Sequence, residues 1–292
     1  MRDRICDPLG LDLIEAADGI LRIAVTAMSY AVKAVTTERG LDVGSFAMIV
    51  YGGAGPLHAS AIAREIGIKR VLIPLSPGHF SAYGMLFSDL RYDYVRSCFQ
   101  RLATVPFSKL EDLYDDMEKQ GNESIASSAV SPEHITFTRF ADMRYVGQEH
   151  AVTVELTHDL FERQDRDAIK RAFDAVHLER YGTSAPHEAA DLVSLRVTAV
   201  GTMAKPPQQD VPQGTAVVPT DAFRGRKDVH FSGIGLSSTP VYLRTRLLAG
   251  NRIAGPALIE EYASTAVVAP GDALVVDRLG NLDIAIAIGR AV

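Results

Sequence analysis

Apolar residues recur at spacings of three and four through residues 9–39, among them Ile14, Ile20, Ile23, Ala27 and Val32, with no proline between them. That period predicts one long helix, stopped near Gly40. A short continuous apolar run follows at 46–51 (FAMIVY) and ends in Gly-Gly-Ala-Gly, the pattern of a strand buried on both faces. A helix is expected to start at Pro56 and stop at Gly67, followed by a second buried strand at 69–74 and a loop running into another helix over 76–90. Strand, glycine turn, helix and strand in this order predict an α/β layer with parallel pairing.

Beyond Arg91 the pattern changes. A polar helix is expected at about 107–128, then two strands of period two (ITFTRFADMRYVGQ and HAVTVEL) joined by a hairpin around Gly147. An amphipathic helix at 166–181 and a strand at 191–201 precede a proline-containing stretch, 204–214, that reads as a linker or exposed loop. From Asp228 onward, short apolar segments alternate with turns, as in a small all-β unit. Three regions are therefore expected: 1–100, an α/β domain; 101–205, an α+β segment; and 206–292, a β-rich domain.

Composition narrows the function classes. With 30 Lys and Arg against 36 Asp and Glu, the net charge of −6 offers no basic footprint for nucleic acid. The longest uninterrupted apolar runs, such as 47–51 and 253–259, fall far short of the roughly 20 residues that span a bilayer, so no membrane segment is expected. The first ten residues carry no apolar core or cleavage site of a signal peptide, and a cytoplasmic location is expected. Cys6 and Cys98 are isolated and read as reduced structural thiols.

The chemistry-bearing signal is YGGAGPLHA at 51–59, where a strand delivers three glycines to a helix start. Free backbone N–H groups and the positive end of the helix favour an anion there, and the missing Cβ atoms allow close approach. The spacing matches neither GxGxxG nor a P-loop, and such a turn serves packing as readily as binding. His58 sits beside the turn, either toward a ligand or as a satisfied helix-start histidine. A second glycine-bearing turn, SPGHFSAYG, brings Ser76 and Ser81 toward the same cleft or merely caps a helix. Asp142, Arg144 and Gln148 form a polar stripe on one strand face, suited to a substrate, a neighbouring subunit or solvent. No GxSxG elbow or HExxH motif is present, and His177 and His187 read as structural. No catalytic residue and no metal ligand can be assigned.

Taken together as ordered blocks, LGLDLIEAADGILRIA, FAMIVYGGAGPLHASAIAREIGI, VLIPLSPGHFSAYGMLFSDLRYD, DMRYVGQEHAVTVEL, VSLRV and GPALIEEYASTAVVAPGD closely resemble the hydantoinase A/5-oxoprolinase family, which includes acetone and acetophenone carboxylase subunits. The resemblance implies the second lobe of an actin/Hsp70/sugar-kinase-like ATPase fold, followed by α+β and β-rich regions. It makes Gly52, Gly53, Ala54, Gly55, Pro56 and His58, with Ser81 opposite, the candidates for binding ATP as its Mg2+ complex. The implied activity is ATP-dependent opening of a small cyclic amide, hydantoin or 5-oxoproline in type; the alternatives are a ketone carboxylase subunit or a non-catalytic assembly module. Family members begin with a phosphate-binding segment, DxGGTxTD, that has no equivalent in this sequence, so an N-terminal ATPase lobe or subunit and a B-type subunit are expected as partners. Tyr51 and His79 stand where the family more often has phenylalanine and an apolar residue.

Overall fold

A computed structural model describes residues 1–288. The chain forms two compact units, one from residues 1–85 and 207–292, the other from 86–206.

In the first unit, helix α1 (Leu13–Val35) begins at Asp12, whose carboxylate accepts the Glu15 amide at 2.8 Å. The expected long helix is present, but of its apolar stripe Ile14, Ile20, Ile23 and Ala27 are exposed, whereas Ala16, Val25 and Ser29 pack inward. Periodicity identifies an apolar face without saying what covers it. Residues 13–39 are also long and apolar enough to cross a membrane by length and composition, with a mean hydropathy of 1.2. Glu15, Asp18, Arg22 and Lys33 divide this segment into short apolar runs, none of which alone approaches the length that spans a bilayer.

Strand β1 (Ala47–Ile49), helix α2 (Gly55–Ile66) and strand β2 (Arg70–Ile73) make the expected crossover, with β1 and β2 parallel. β1 is the edge of its sheet and Ile49 is exposed, so the reading of a strand buried on both faces does not hold. A short helix, α3 (Phe80–Met85), follows.

The second unit opens with β3 (Leu90–Arg101), a twelve-residue strand whose charged residues hid it from the apolar pattern. Helix α4 (Phe107–Ala126) presents Leu110, Tyr114, Met117 and Ile125 at helical spacing to a sheet of order β3-β6-β4-β5, where β4 is His134–Tyr145, β5 Val152–Glu155 and β6 Ala190–Thr202. All four side chains are at most 1% exposed, each burial stabilising by roughly 1.5–3 kcal/mol. The Tyr114 hydroxyl donates to the Phe140 carbonyl at 2.9 Å, which resolves the cost of burying it. Helix α5 (Arg166–Tyr181) starts at Asp165, whose carboxylate accepts the Ala168 amide, and it buries Ile169, Phe173 and His177.

The proline-containing linker coincides with the passage from one unit to the other near Pro206. Beyond it come β7 (Phe223–Phe231), β8 (Gly235–Leu243), β9 (Arg252–Ala254), β10 (Ala257–Glu261), β11 (Ser264–Val268), β12 (Ala273–Val276) and β13 (Leu282–Ala285). They do not form a third, separate region. β9, β12 and β13 extend the first sheet in the order β1-β2-β13-β12-β9, with β13 antiparallel to β2, while β11-β10-β8-β7 make another sheet. One apolar cluster joins the two ends of the chain, with Ala59, Ala63, Val71 and Ile73 packed among Ile253, Ile259, Val268, Leu274 and Ile284. The expected first and third regions thus form one discontinuous unit, and the limit expected at 100 lies at 85, because the tail strands bury apolar side chains against β2 and α2.

Candidate functional site

The site stands in the first unit at the carboxyl ends of the parallel strands β1 and β2, the position where open α/β sheets receive ligands. The Gly52–Gly55 turn links β1 to α2. Gly52 adopts φ +91°, a conformation that costs other residues roughly 1 kcal/mol, and its N–H donates to the Pro77 carbonyl at 2.7 Å. The two loops foreseen as facing one cleft are therefore in direct contact. At the start of α2, Ala54 provides no side-chain cap and Pro56 occupies the first turn, which leaves backbone amides of that turn untaken by side chains.

A third element completes the site and was not singled out from the sequence: the turn at Tyr262 and Ala263 between β10 and β11. A Cβ placed on Gly53 would stand 3.0 Å from the Ala263 carbonyl oxygen, and one on Gly78 would meet Ala263 at 3.4 Å. Tyr262, 84% exposed, stacks on His79 with ring centroids 5.7 Å apart and planes 12° from parallel. Tyr51 and Phe80 approach to 5.5 Å, and Phe80 and Tyr83 to 6.2 Å. Ser76 and Ala263, both here, have positive φ without being glycine, a strain that folds tolerate chiefly where neighbours impose it.

Beneath these loops lies a buried ion pair. Arg244 Nη1 donates to Glu261 Oε1 at 2.9 Å, and Nη2 donates to the carbonyls of Ile73 (3.0 Å) and Gly280 (2.8 Å). The Ser76 amide also reaches Glu261. Burial pushes the Glu261 carboxyl above its ordinary range despite the attraction of Arg244, and the same burial lowers the guanidinium.

Among the sequence candidates, Gly52, Gly53, Ala54, Gly55 and Pro56 line the turn, and His58 is half-buried on α2. Ser81 is exposed on α3, and no described contact brings it to the turn. The Asp142 stripe belongs to the other unit and is differently employed. Asp142 is buried and accepts Thr153 Oγ1 at 2.7 Å, Arg196 Nε at 2.7 Å and the Ser194 hydroxyl, while Gln148 lies past the end of β4. His177 is a core residue, its Nδ1 2.7 Å from the Thr183 carbonyl and its ring against Tyr145. Among the described residues, no group of three His, Cys, Asp or Glu could hold a metal ion.

Burial alone would raise the Asp142 carboxyl, but the bonds from Ser194, Thr153 and Arg196 outweigh it and hold it below its ordinary value. Its stabilising contribution is complete above the unfolded-state pKa and is lost as pH falls through the lower folded value. Asp142→Ala is expected to cost about 2–3 kcal/mol near pH 7, with the penalty shrinking below about pH 4. Urea titrations of both proteins across that range check this; a penalty independent of pH would contradict it.

The loops combine a glycine turn, open backbone amides and flat aromatic side chains. Such a surface suits the base and sugar of a nucleotide. Arg244, beneath the loops, is turned inward onto Glu261 and is not free to neutralise phosphates.

The chain is 30% identical to caprolactamase subunit alpha of Pseudomonas jessenii over 93% of its own length and 39% of that subunit. Its fold matches a nucleotide-free structure of acetone carboxylase with a TM-score of 0.81 at 24% identity, over 98% of this chain and 42% of that one. It also matches an ATP-dependent caprolactamase from Pseudomonas jessenii with a TM-score of 0.74 at 28% identity, over 97% and 42%. The chain thus spans about two-fifths of the length of these relatives. The hydantoinase/oxoprolinase profile fits residues 1–94 and the profile of the hydantoinase/oxoprolinase C-terminal domain fits residues 101–284, so the chain belongs to the hydantoinase/oxoprolinase family.

Proposed function

We propose that this chain supplies the adenosine-side lobe of an ATP-dependent enzyme that opens a small cyclic amide, and that it works with the phosphate-binding portion of the family and with a B-type subunit. The observation that carries the reading is the convergence of the Gly52–Gly55 turn, residues 77–79 and the Tyr262–Ala263 turn at the strand ends. The residues present fit a nucleoside: Gly52, Gly53 and Gly55 let it approach the backbone, and the stacked His79–Tyr262 pair offers it a flat face. Bound ATP with Mg2+ would supply the phosphoryl group that makes an amide oxygen a competent activating group for attack by water. Support for a lactam or hydantoin comes from the caprolactamase relative, with which this chain shares 30% identity, and carboxylation of a ketone is the second reading, because an acetophenone carboxylase subunit shares 31%.

Calorimetric titration with Mg·ATP and Mg·ADP tests the reading, on this chain alone and mixed with a separately produced lobe carrying DxGGTxTD. Binding and ATP turnover are expected in the mixture, and Gly53→Val and Tyr262→Ala are each expected to weaken binding at least about tenfold, because one fills the approach and the other removes the stacking face. Nucleotide that never binds, or that binds both variants as tightly as the unaltered chain, would remove the assignment. Turnover of lactams, hydantoins and 5-oxoproline without bicarbonate separates amide opening from carboxylation.

A further inference from the structure

Three segments meet at the candidate site, and Arg244 holds the base of two of them. Ile73, whose carbonyl accepts Arg244 Nη2 at 3.0 Å, is the last residue of β2, just ahead of the 76–79 loop. Glu261, whose carboxylate accepts Nη1 at 2.9 Å, is the last residue of β10, and the Tyr262–Ala263 turn follows it directly. The third acceptor, the Gly280 carbonyl at 2.8 Å, stands beside Asn281, whose Oδ1 accepts the Leu75 amide at 3.3 Å. Asn281 is itself fixed by Asp277, to which its amide and its Nδ2 both donate at 2.8 Å. The glycine turn joins through the Gly52 amide on the Pro77 carbonyl at 2.7 Å. One buried guanidinium thus stands at the centre of a hydrogen-bonded frame that reaches every loop of the site.

Stability alone does not account for this frame. Apolar side chains of similar volume often hold a core as well as a buried ion pair does, or better. Arg244 Nε, moreover, is buried with no acceptor among the described residues, so the guanidinium is not placed to satisfy its own donors. Its terminal nitrogens are committed to the loop bases instead. Hydrogen bonds fix length and direction together, which apolar contact does not. The loops demand such control: a Cβ on Gly53 would already stand 3.0 Å from the Ala263 carbonyl oxygen. Ser76 and Ala263, at φ +52° and +61°, lie just beyond Ile73 and Glu261, and non-glycine residues keep such conformations where the flanking chain is fixed.

We propose that Arg244, acting through Glu261 and the Ile73 carbonyl, is a positioning residue for the nucleotide: it sets the spacing of the 76–79 loop and the Tyr262–Ala263 turn, and with it the stacking of His79 on Tyr262. The inference rests on the nucleotide reading above and adds to it the group that holds the stacked face in register.

Arg244→Met combined with Glu261→Leu separates placement from packing, because it refills the space with apolar atoms and removes every hydrogen bond of the pair. In the mixture with the DxGGTxTD lobe, well below the unfolding midpoint, this double variant is expected to bind Mg·ADP at least about tenfold more weakly by calorimetry. Arg244→Lys keeps the charge, but its single nitrogen cannot occupy both arms of the fork, and a similar loss is expected. Leu274→Ala is the control: it opens the same core, its strand partners Ile253 and Ile284 lie outside the frame, and affinity should stay within about twofold. A second readout omits nucleotide. Hydrogen exchange at 51–54 and 76–79 is expected to quicken at least about tenfold in the double variant, while residues 59–63 of α2 change only as far as the loss of global stability requires. If the unaltered mixture binds Mg·ADP and the double variant binds it as tightly, the pair serves packing alone and the proposal is overturned. Unchanged exchange in the two loops overturns it as well, whatever nucleotide does. If the unaltered mixture binds no Mg·ADP while the loops loosen, the hold of Arg244 on the loops stands and the nucleotide reading alone is lost. Should the double variant fail to fold, Arg244→Lys carries both readouts.

Discussion

Arg244→Ala is expected to destabilise the first unit by about 3–5 kcal/mol, a large share of the roughly 5–15 kcal/mol that holds a domain folded. The side chain is 3% exposed and satisfies three acceptors: the carboxylate of Glu261 and the carbonyls of Ile73 and Gly280. Truncation leaves all three without this donor in a place that water reaches poorly, and the unpaired carboxylate dominates the cost. The sign of the pH dependence follows from the direction of the Glu261 shift. A carboxyl whose pKa is raised on folding is held most favourably while protonated, so its contribution is full below the unfolded value and is lost as pH rises through the folded one. Without Arg244 the carboxyl rises further, and the penalty is expected to be larger near pH 7 than near pH 5. Urea unfolding with an unchanged m-value is the measurement. A loss below about 1 kcal/mol would show that the pair is solvated like a surface ion pair. Replacing both members, Arg244→Met with Glu261→Leu, is expected to recover part of the loss, since the orphaned carboxylate goes while the two carbonyls stay bare.

Gly255→Ala is expected to cost more than about 4 kcal/mol or to prevent accumulation of folded protein. A Cβ there would lie 1.9 Å from the Ala269 carbonyl oxygen, 2.8 Å from its carbon and 3.1 Å from the Val268 oxygen. All three are backbone atoms, so no side chain can rotate away. The Ala269 carbonyl accepts the Asp272 amide at 3.0 Å, and Gly255 N–H itself donates to the Asp272 carbonyl at 2.9 Å. Displacing that turn also pulls Asp272 from Arg64, 2.6 Å away, and from the Ala287 amide. Gly19→Ala provides the contrast. It sits within α1 with nothing inside 4 Å of the added carbon, and it should gain about 0.5–1 kcal/mol from helix propensity. Equal thermal midpoints for the two variants would refute the steric argument.

Local periodicity made much of this fold legible. α4 and α5 lie where three- and four-residue spacing placed them, the hairpin at Gly147 joins β4 to β5, and the unit boundary falls in the proline-containing linker. β3 was obscured because its alternation runs through Arg, Asp and Tyr side chains that pair on a sheet surface, as Arg91 does with Asp93. Long-range pairing leaves no local trace, so the union of β13 with β2 could not be read from either segment. The same limit applies at the site. The glycine turn announced itself, whereas Arg244, Glu261 and Tyr262 look like ordinary surface residues until β8, β10 and the β10–β11 turn bring them under and over the loops. The family block containing EEYAST was the one signal that could have drawn attention to Tyr262.

The pairing of Ile73 with Leu282 and of Arg70 with Ala285 also sets an order of events during synthesis. β2 leaves the ribosome about two hundred residues ahead of the strand that completes its sheet, and residues 86–206, which close on themselves, emerge entirely in between. For that interval Val71 and Ile73, both fully buried in the end, have no tail strands to cover them. The nascent chain therefore carries a preformed second unit and an adhesive, half-built first one, the kind of intermediate that chaperones hold and that aggregates when translation stalls before residue 282.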